Sequence, residues 1–154
     1  MKKLLLLPIV AFVFIARGET SDPVGKAQEQ ARTFAEAYYN YDFERALRLA
    51  TPESAKWLRF ASSNVTSQDV DLYNSQTVPA SADVEDFLSV DDSTMVVVLS
   101  VHHFVQKDTI GKEPAVINEA RCSLTVVTRD GRQLVKMACL PQSEKQSPGS
   151  VADE

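Results

Sequence analysis

The stretch CSLTVVTRDGRQLVKMAC, residues 122–139, decides the fold of the C-terminal half of the chain. The dipeptide Asp130-Gly131 lies at its centre, between two runs rich in β-branched and apolar residues. Asp-Gly favours the type I′ turn of a two-residue β-hairpin, because both of its residues tolerate positive φ. We therefore predict a hairpin in which Arg129 faces Arg132.

The two cysteines of the chain, Cys122 and Cys139, are equidistant from this turn. Continuing the register outward from the turn makes them a non-hydrogen-bonded pair, in which opposed side chains lie closest. Such a pair fits the geometry of a disulfide. The sequence therefore predicts a Cys122–Cys139 disulfide, which requires an oxidising compartment. Neither cysteine has the Cys-x-x-Cys spacing of a redox-active pair.

The N-terminus has the three-part form of a secretory signal. Two lysines follow Met1, residues 4–15 are apolar, and Ala16-Arg17-Gly18 resembles a cleavage site. The apolar run is shorter than the roughly 20 residues that span a bilayer. We expect a signal peptide over residues 1–18 and a periplasmic or secreted protein without stable membrane insertion; an uncleaved membrane anchor is the alternative.

Charge argues against nucleic-acid partners. The formal net charge of the 154-residue chain is −5, and loss of residues 1–18 would remove three cations and no acid, leaving −8. An acidic surface without clustered Lys or Arg repels phosphate backbones. We therefore expect no nucleic acid among the partners.

The pattern of the remaining sequence predicts helices first and strands afterwards. Asp22-Pro23 has the cap-then-proline form of a helix start, and Asp42 and Thr51-Pro52 repeat a cap signal for two further helices. Residues 62–80 are polar and predict a mostly irregular connection with a weak helical turn. From residue 84 onward the period is two, which predicts strands over residues 84–90, 94–107 and the final hairpin at 115–140. The polar segment 142–154 predicts a disordered acidic tail, so the folded domain is expected over residues 19–141.

The junctions between the first helices resemble those of the nuclear-transport-factor-2-like (cystatin-like) superfamily. The chain is similar to small exported bacterial domains of this fold, whose junctions read aromatic-x-x-Asp-Phe-x-x-Ala and then Thr-Pro-Glu. The resemblance implies an α+β fold in which N-terminal helices pack on a curved four-stranded antiparallel sheet and leave a cone-shaped cavity. It also implies capping by Asp42 and Thr51. The matching residues are Tyr39, Asp42, Phe43, Ala46, Thr51, Pro52 and Glu53.

The chain's two histidines, His102 and His103, are adjacent on one predicted strand, so their side chains point to opposite faces. Alternation groups His103 with Leu99 and Val101, and His102 with Val98 and Phe104. Both faces are apolar, so the sequence leaves open which imidazole faces the interior. Two histidines on opposite faces do not chelate one ion, and we expect no metal site.

Tyr38 and Tyr41, at the end of the first predicted helix, are the candidates for a tyrosine-assisted reaction with one histidine. Tyr38, His102 and His103 are thus weak catalytic candidates for a cofactor-free lyase or isomerase. No Asp or Glu lies within the apolar runs 95–101 and 124–127 to act as a base, and no nucleotide- or phosphate-binding motif is present.

The sequence therefore favours an exported, non-catalytic domain that needs no cofactor and binds a small apolar ligand or an envelope protein in the cavity between helix and sheet. The alternatives are the lyase or isomerase and a structural module that forms a homodimer through its exposed sheet face. The residues expected to line the cavity are Phe34, Tyr38, Tyr41, Trp57, Leu99, Val101 and His103.

Overall fold

The computed structural model describes residues 22–106 and 113–144. The predicted signal peptide, residues 1–18, lies outside these described residues, as do positions 145–154 of the predicted tail. Within the described ranges, no helix is long and apolar enough to cross a membrane.

Helices occupy the N-terminal half, as predicted. The first starts where the cap-then-proline signal places it, because the Asp22 carboxylate accepts a hydrogen bond from the Val24 amide at 3.1 Å. Its apolar stripe, which includes Ala27, Ala31 and Phe34, is buried against the sheet. The elements are α1 (Pro23–Tyr39), α2 (Phe43–Leu49), a 3₁₀ turn (Pro52–Ser54), α3 (Ala55–Ser63) and α4 (Ser67–Asn74).

The sheet is antiparallel, with strand order β1-β2-β3-β4, and a short β5 pairs with β3 beyond the end of β4. The inner face of β2 and β3 packs under α1 and forms the core with it, through residues such as Val97, Leu99 and Leu124. The predicted α+β class, helices followed by a four-stranded antiparallel sheet, is confirmed. The strands are β1 (Ser81–Asp91), β2 (Thr94–Gln106), β3 (Ala115–Arg129), β4 (Arg132–Lys136) and β5 (Ser143–Glu144).

The predicted turn between β3 and β4 is confirmed. Asp130 and Gly131 have φ values of 50° and 73°, as a type I′ turn requires, and Arg129 pairs with Arg132. The predicted register continues outward only as far as the pair of Thr125 and Lys136.

The predicted disulfide is wrong: Cys122 and Cys139 are both free thiols, the first buried and the second exposed. The hairpin ladder ends before it reaches them, because the Met137 amide donates a 2.8 Å hydrogen bond to Oγ of Ser54 instead of continuing the ladder. The chain then leaves the sheet and returns as β5, which puts Ser143 opposite Cys122.

Three further expectations need correction. Thr51 does not cap a helix with its side chain; its hydroxyl is hydrogen-bonded to that of Ser54, at 2.7 Å. The connection at 62–80 contains α4, whose start is a capping box of Thr66 and Asp69. Ser143–Glu144, assigned to the disordered tail, form a strand because β3 offers them an unpaired edge beyond β4.

Candidate functional site

A cavity of about 570 Å³ opens at the end of the molecule where α1 stops and β2 ends. Its walls come from the residues around the α1–α2 junction, from α3 and α4, from the last residues of β2 and from the segment 140–143. The cavity therefore lies between the helices and one end of the sheet.

Aromatic rings dominate the walls. The Tyr38 ring meets the Tyr39 and Phe43 rings edge to face, with centroids 5.1 and 5.8 Å apart. The Tyr39 and Phe104 centroids are 4.7 Å apart, which joins the helix wall to the sheet. Offset and edge contacts of this kind hold rings in place beyond the effect of burial alone. The six aromatic residues lining the cavity are Tyr38, Tyr39, Tyr41, Phe43, Phe60 and Phe104.

The α1–α2 junction is positioned by Asn40, the residue that ends α1. Its amide group donates to the Ala80 carbonyl at 2.8 Å, and its amide oxygen accepts from the Ala80 amide at 2.9 Å. The same oxygen accepts a hydrogen bond from the Tyr73 hydroxyl of α4 at 3.2 Å. One side chain therefore ties the end of α1 to the start of β1 and to α4, and Tyr41 follows with a φ of 61°.

The two histidines lie outside the cavity lining. His103 has a φ of 54° and is exposed, so the alternation that grouped it with Val101 breaks at this residue, and Phe104 continues the buried face instead. His102 is half-buried on the outer side, with Nε2 3.3 Å from Oδ2 of Asp83. The interior position expected for His103 is therefore occupied by Phe104.

One carboxylate faces the cavity. Asp69 is only 3% exposed, and its Oδ2 accepts hydrogen bonds from the amide and the hydroxyl of Thr66, at 2.6 and 2.8 Å. It is close enough to Tyr41 that, after burial, its negative charge is the main cause raising the pKa of that phenol to about 12. Among the described lining residues, Asp69 is the only one that carries a formal charge.

The tyrosine hydroxyls of the cavity stay protonated at neutral pH. Burial raises the pKa of Tyr38 to about 12 and that of Tyr39 well above its usual 10.0, with the neighbouring Cys122 adding to both shifts. Burial also raises the pKa of the Cys122 thiol. The cavity therefore presents neutral phenols rather than phenolates.

The segment 140–143 forms the rim of the cavity. Leu140 packs against the core, and Ser143 accepts a 2.6 Å hydrogen bond from the side-chain amide of Gln106, at the end of β2. This rim exists because the chain leaves the sheet after β4. Because the chain leaves the sheet after Lys136, Cys139 does not lie opposite Cys122, and residues 140–143 complete the cavity wall.

The structure places the expected cavity residues in three kinds of position: on the cavity wall, in the core, and outside both. Tyr38 and Tyr41 line the cavity. Phe34, Leu99 and Val101 are fully buried in the core beneath it. Trp57 is half-buried on α3, where it packs against the core with Lys56 Nζ 5.3 Å from its ring centroid, and His103 is exposed.

Sequence reasoning missed Asn40, Asp69 and Phe104. The Thr66-x-x-Asp69 spacing is a recognisable capping box, and it would have predicted α4 and the inward carboxylate at its first turn. Alternation predicts Phe104 on the face opposite Val101, and the positive φ of His103 turns it to the buried face instead. In the part of the chain that is described, no cluster of three or more His, Cys, Asp or Glu side chains is placed to hold a metal ion.

Comparison with known proteins gives likenesses of structure only. No protein-family model matches the chain, and no curated protein matches it. It is similar to a solved NTF2-like protein involved in plasmid conjugation, with 12% identity and a TM-score of 0.42 over 82% of this chain. The chain spans about half, 51%, of the length of that protein.

Two further solved structures are similar over 73% of this chain and 93% of their own length. One is an NTF2-like protein of unknown function from Shewanella oneidensis MR-1, with 11% identity and a TM-score of 0.48. The other is the association domain of C. elegans CaMKII, with 17% identity and a TM-score of 0.41. The architecture of this chain, helices followed by an antiparallel four-stranded sheet, is the one implied by the NTF2-like resemblance of its sequence.

Proposed function

We propose that this domain is an exported, non-catalytic binding protein that holds a small, largely apolar ligand in the aromatic cavity at the end of α1. One observation carries the proposal: six aromatic side chains surround a space of about 570 Å³ that is open to solvent. Pockets of 300–1,000 Å³ with apolar walls and a few polar groups are typical of small-molecule sites.

The proposal rests also on how rigidly the walls are built. The Asn40 hydrogen bonds to Ala80 and Tyr73 fix one wall, and the ring contacts of Tyr39 with Phe104 fix the other. A site held open before binding loses little conformational entropy when its ligand arrives. This arrangement therefore supports binding as the role of the cavity.

Proton-transfer chemistry is the second candidate, and one observation favours it: Asp69 and Tyr41 are neighbours in the cavity. A phenol beside a carboxyl group is a known arrangement for acid–base catalysis. The Asp69 carboxylate already caps α4 through Thr66, and neither histidine lines the cavity. Binding without chemistry is therefore the function that the geometry supports better.

Export is part of the proposal and derives from the sequence. The signal-like residues 1–18 predict secretion, so the ligand or an alternative protein partner is expected in the periplasm or outside the cell. A homodimer through the outer face of the sheet remains the structural alternative. Leu88 favours it, because it is 65% exposed on edge strand β1 and pairs with Val96, on the face opposite the buried Val97.

Native mass spectrometry of the protein purified from its host's envelope tests the proposal. We expect an additional mass that is lost on denaturation. Ala61→Trp, on the cavity wall, should abolish that mass by filling the space, whereas Ser62→Trp, the exposed next residue of α3, should retain it. Absence of extra mass, or its persistence in Ala61→Trp, would contradict a ligand in this cavity.

A further inference from the structure

We infer that α3 docks reversibly on an anionic lipid surface, so that the mouth of the cavity faces the bilayer. This inference goes beyond the proposed function, because it names a partner surface and does not depend on what the cavity holds. Three properties of α3 support it: the composition of its exposed face, the sign of its charges and its position at the cavity.

The exposed face of α3 combines two cations with an aromatic ring. Lys56, Arg59 and Phe60 have the spacing i, i+3 and i+4, so they lie on one face of the helix, and all three are exposed. The Trp57 ring is half-buried, with Lys56 Nζ 5.3 Å from its centroid. Phenylalanine and tryptophan beside basic side chains are typical of helices that lie in the interface of a membrane.

The charges of α3 have one sign, whereas the net charge of the whole chain is −5. Lys56 and Arg59 are the two charged residues of the helix, and neither forms an ion pair within the described part of the chain. The acid that precedes the helix, Glu53, is bound by Arg129 at 2.7 Å. The two cations can therefore bind lipid phosphates, and each should strengthen attachment to an anionic bilayer about fivefold.

The neighbouring helix adds to the basic charge near α3. α2 packs against α3 and carries two exposed cations, Arg45 and Arg48, against one acid, Glu44. The chain as a whole is acidic, so most of its remaining surface would be repelled by the same lipids. The difference in charge therefore gives the docked protein one orientation.

α3 also forms part of the cavity wall. Phe60 lines the cavity and is at the same time 52% exposed, so its ring lies at the mouth. The half-buried Val65, Leu140 and Pro141 line the cavity as well. A bilayer in contact with α3 would cover the Phe60 ring with an apolar medium and would bring the apolar cavity close to the acyl chains.

An acidic protein surface is the competing partner, because it would also pair with Lys56 and Arg59. Such a surface offers charge but no apolar medium for the exposed ring of Phe60. An anionic bilayer offers both, with phosphates at the level of the cations and hydrocarbon beneath them. The lipid surface is therefore the partner that matches the whole exposed face of α3.

Vesicle co-sedimentation of the mature protein, purified from its host's envelope, tests this inference. Vesicles of phosphatidylcholine alone are compared with vesicles of phosphatidylcholine and phosphatidylglycerol in equal parts. We expect binding to the anionic vesicles to be at least about tenfold tighter, since several cations contribute. Added salt should weaken it, because exposed charges are screened.

Two pairs of variants locate the contact. Lys56→Gln with Arg59→Gln should weaken binding to the anionic vesicles at least about tenfold. The matched control, Lys26→Gln with Arg132→Gln, removes the same charge from exposed residues in the first turn of α1 and at the start of β4. It should change binding by less than about twofold, because neither residue lies on α3 or lines the cavity.

The second pair tests the ring. Phe60→Ser should weaken binding several-fold, whereas Phe87→Ser, the same substitution at a 42% exposed position of β1, should leave it unchanged. Far-UV circular dichroism checks that each variant is folded.

Equal binding to both kinds of vesicle, or equal losses in the two charge variants, would overturn the inference. Loss of binding in the charge variant of α3 but not in Phe60→Ser would assign this face to an acidic protein surface instead. The vesicles supply no ligand for the cavity, so these outcomes leave the proposed binding function to its own test, the mass lost on denaturation.

Discussion

The two ends of the β3 strand differ in what determines their pairing. At the turn end, Asp130-Gly131 and the pairs from Arg129–Arg132 to Thr125–Lys136 follow from turn chemistry and period-two alternation. Toward the cavity end, the partner of β3 changes from β4 to β5, and the segment between them forms the cavity rim. Local sequence rules therefore fix one end, and contacts with distant segments fix the other.

Removing a buried ring should cost more unfolding free energy in the closed core than at the cavity end. These two substitutions have the largest effects we expect. Phe34→Ala removes a fully buried ring from the closed core and should cost about 3–5 kcal/mol of unfolding free energy. Phe104→Ala removes an equally buried ring beside the open cavity, where water can enter the space that is created. We expect it to cost at least about 1 kcal/mol less.

Urea unfolding of the two variants at one pH measures this difference. A larger cost for Phe104→Ala would show that the cavity end is packed as tightly as the core. That result would remove the physical basis for a preformed binding space.

The hydrogen bond from the Met137 amide to Ser54, which ends β4, is the basis of the second prediction. Ser54→Ala deprives the buried Met137 amide of its acceptor and Thr51 of its hydroxyl partner. An unsatisfied buried group costs about 1–3 kcal/mol, and we expect a loss in that range by urea unfolding. Ser63→Ala, which removes an exposed hydroxyl that bonds to the Phe60 carbonyl, is the control and should change stability by less than about 0.5 kcal/mol. Equal effects of the two variants would contradict the role given to Ser54.

This serine explains where prediction from sequence succeeds and where it fails. The starts of α1 and α2, the turn, and the class of fold depend on neighbours within a few residues, so the sequence specifies them directly. The end of β4 depends on a hydroxyl more than 80 residues away along the chain, at Ser54. No period or motif around Cys139 reports that contact, so register alone predicted a disulfide that the fold does not form.

The same distinction holds for the candidate site. Tyr38 and Tyr41 are predictable because they lie at the end of the first helix, whereas Phe104 faces inward only because His103 adopts a positive φ. Asp69 lies in a segment expected to be irregular, although its capping box was visible in the sequence. The wall was therefore partly predictable from helix signals, and its sheet side was not.

Alkaline pH should lower the unfolding free energy of the protein through the tyrosines of the cavity. The pKa of Tyr38 and that of Tyr41 are raised from 10.0 to about 12, mainly by burial. Above pH 10 the unfolded chain ionises these phenols while the folded protein keeps its protons, so the unfolded state binds fewer protons and the unfolding free energy falls as pH rises toward 12. Below pH 10 this contribution to stability is fully present.

Urea unfolding between pH 8 and pH 11, together with absorbance at 295 nm, checks this dependence. Tyr41→Phe should make the decline shallower, because one of the shifted groups is removed. Titration of all tyrosines near pH 10 in the folded protein would mean that the hydroxyls at the cavity are in contact with water.

Substituting Cys139 should give the smallest change in stability, and the reactivity of the two thiols tests directly where the pairing of β3 with β4 ends. The exposed Cys139 should react quickly with a thiol reagent in the protein as purified without reductant, and Cys122 only on unfolding, because burial both shields its thiol and raises its pKa. Cys139→Ser should change the unfolding free energy by less than about 0.5 kcal/mol. A disulfide would instead leave no reactive thiol, and its removal would cost about 2–4 kcal/mol. That outcome would require β4 to continue past Met137 opposite β3, so the rim at 140–143 would have to be rebuilt along with the cavity it encloses.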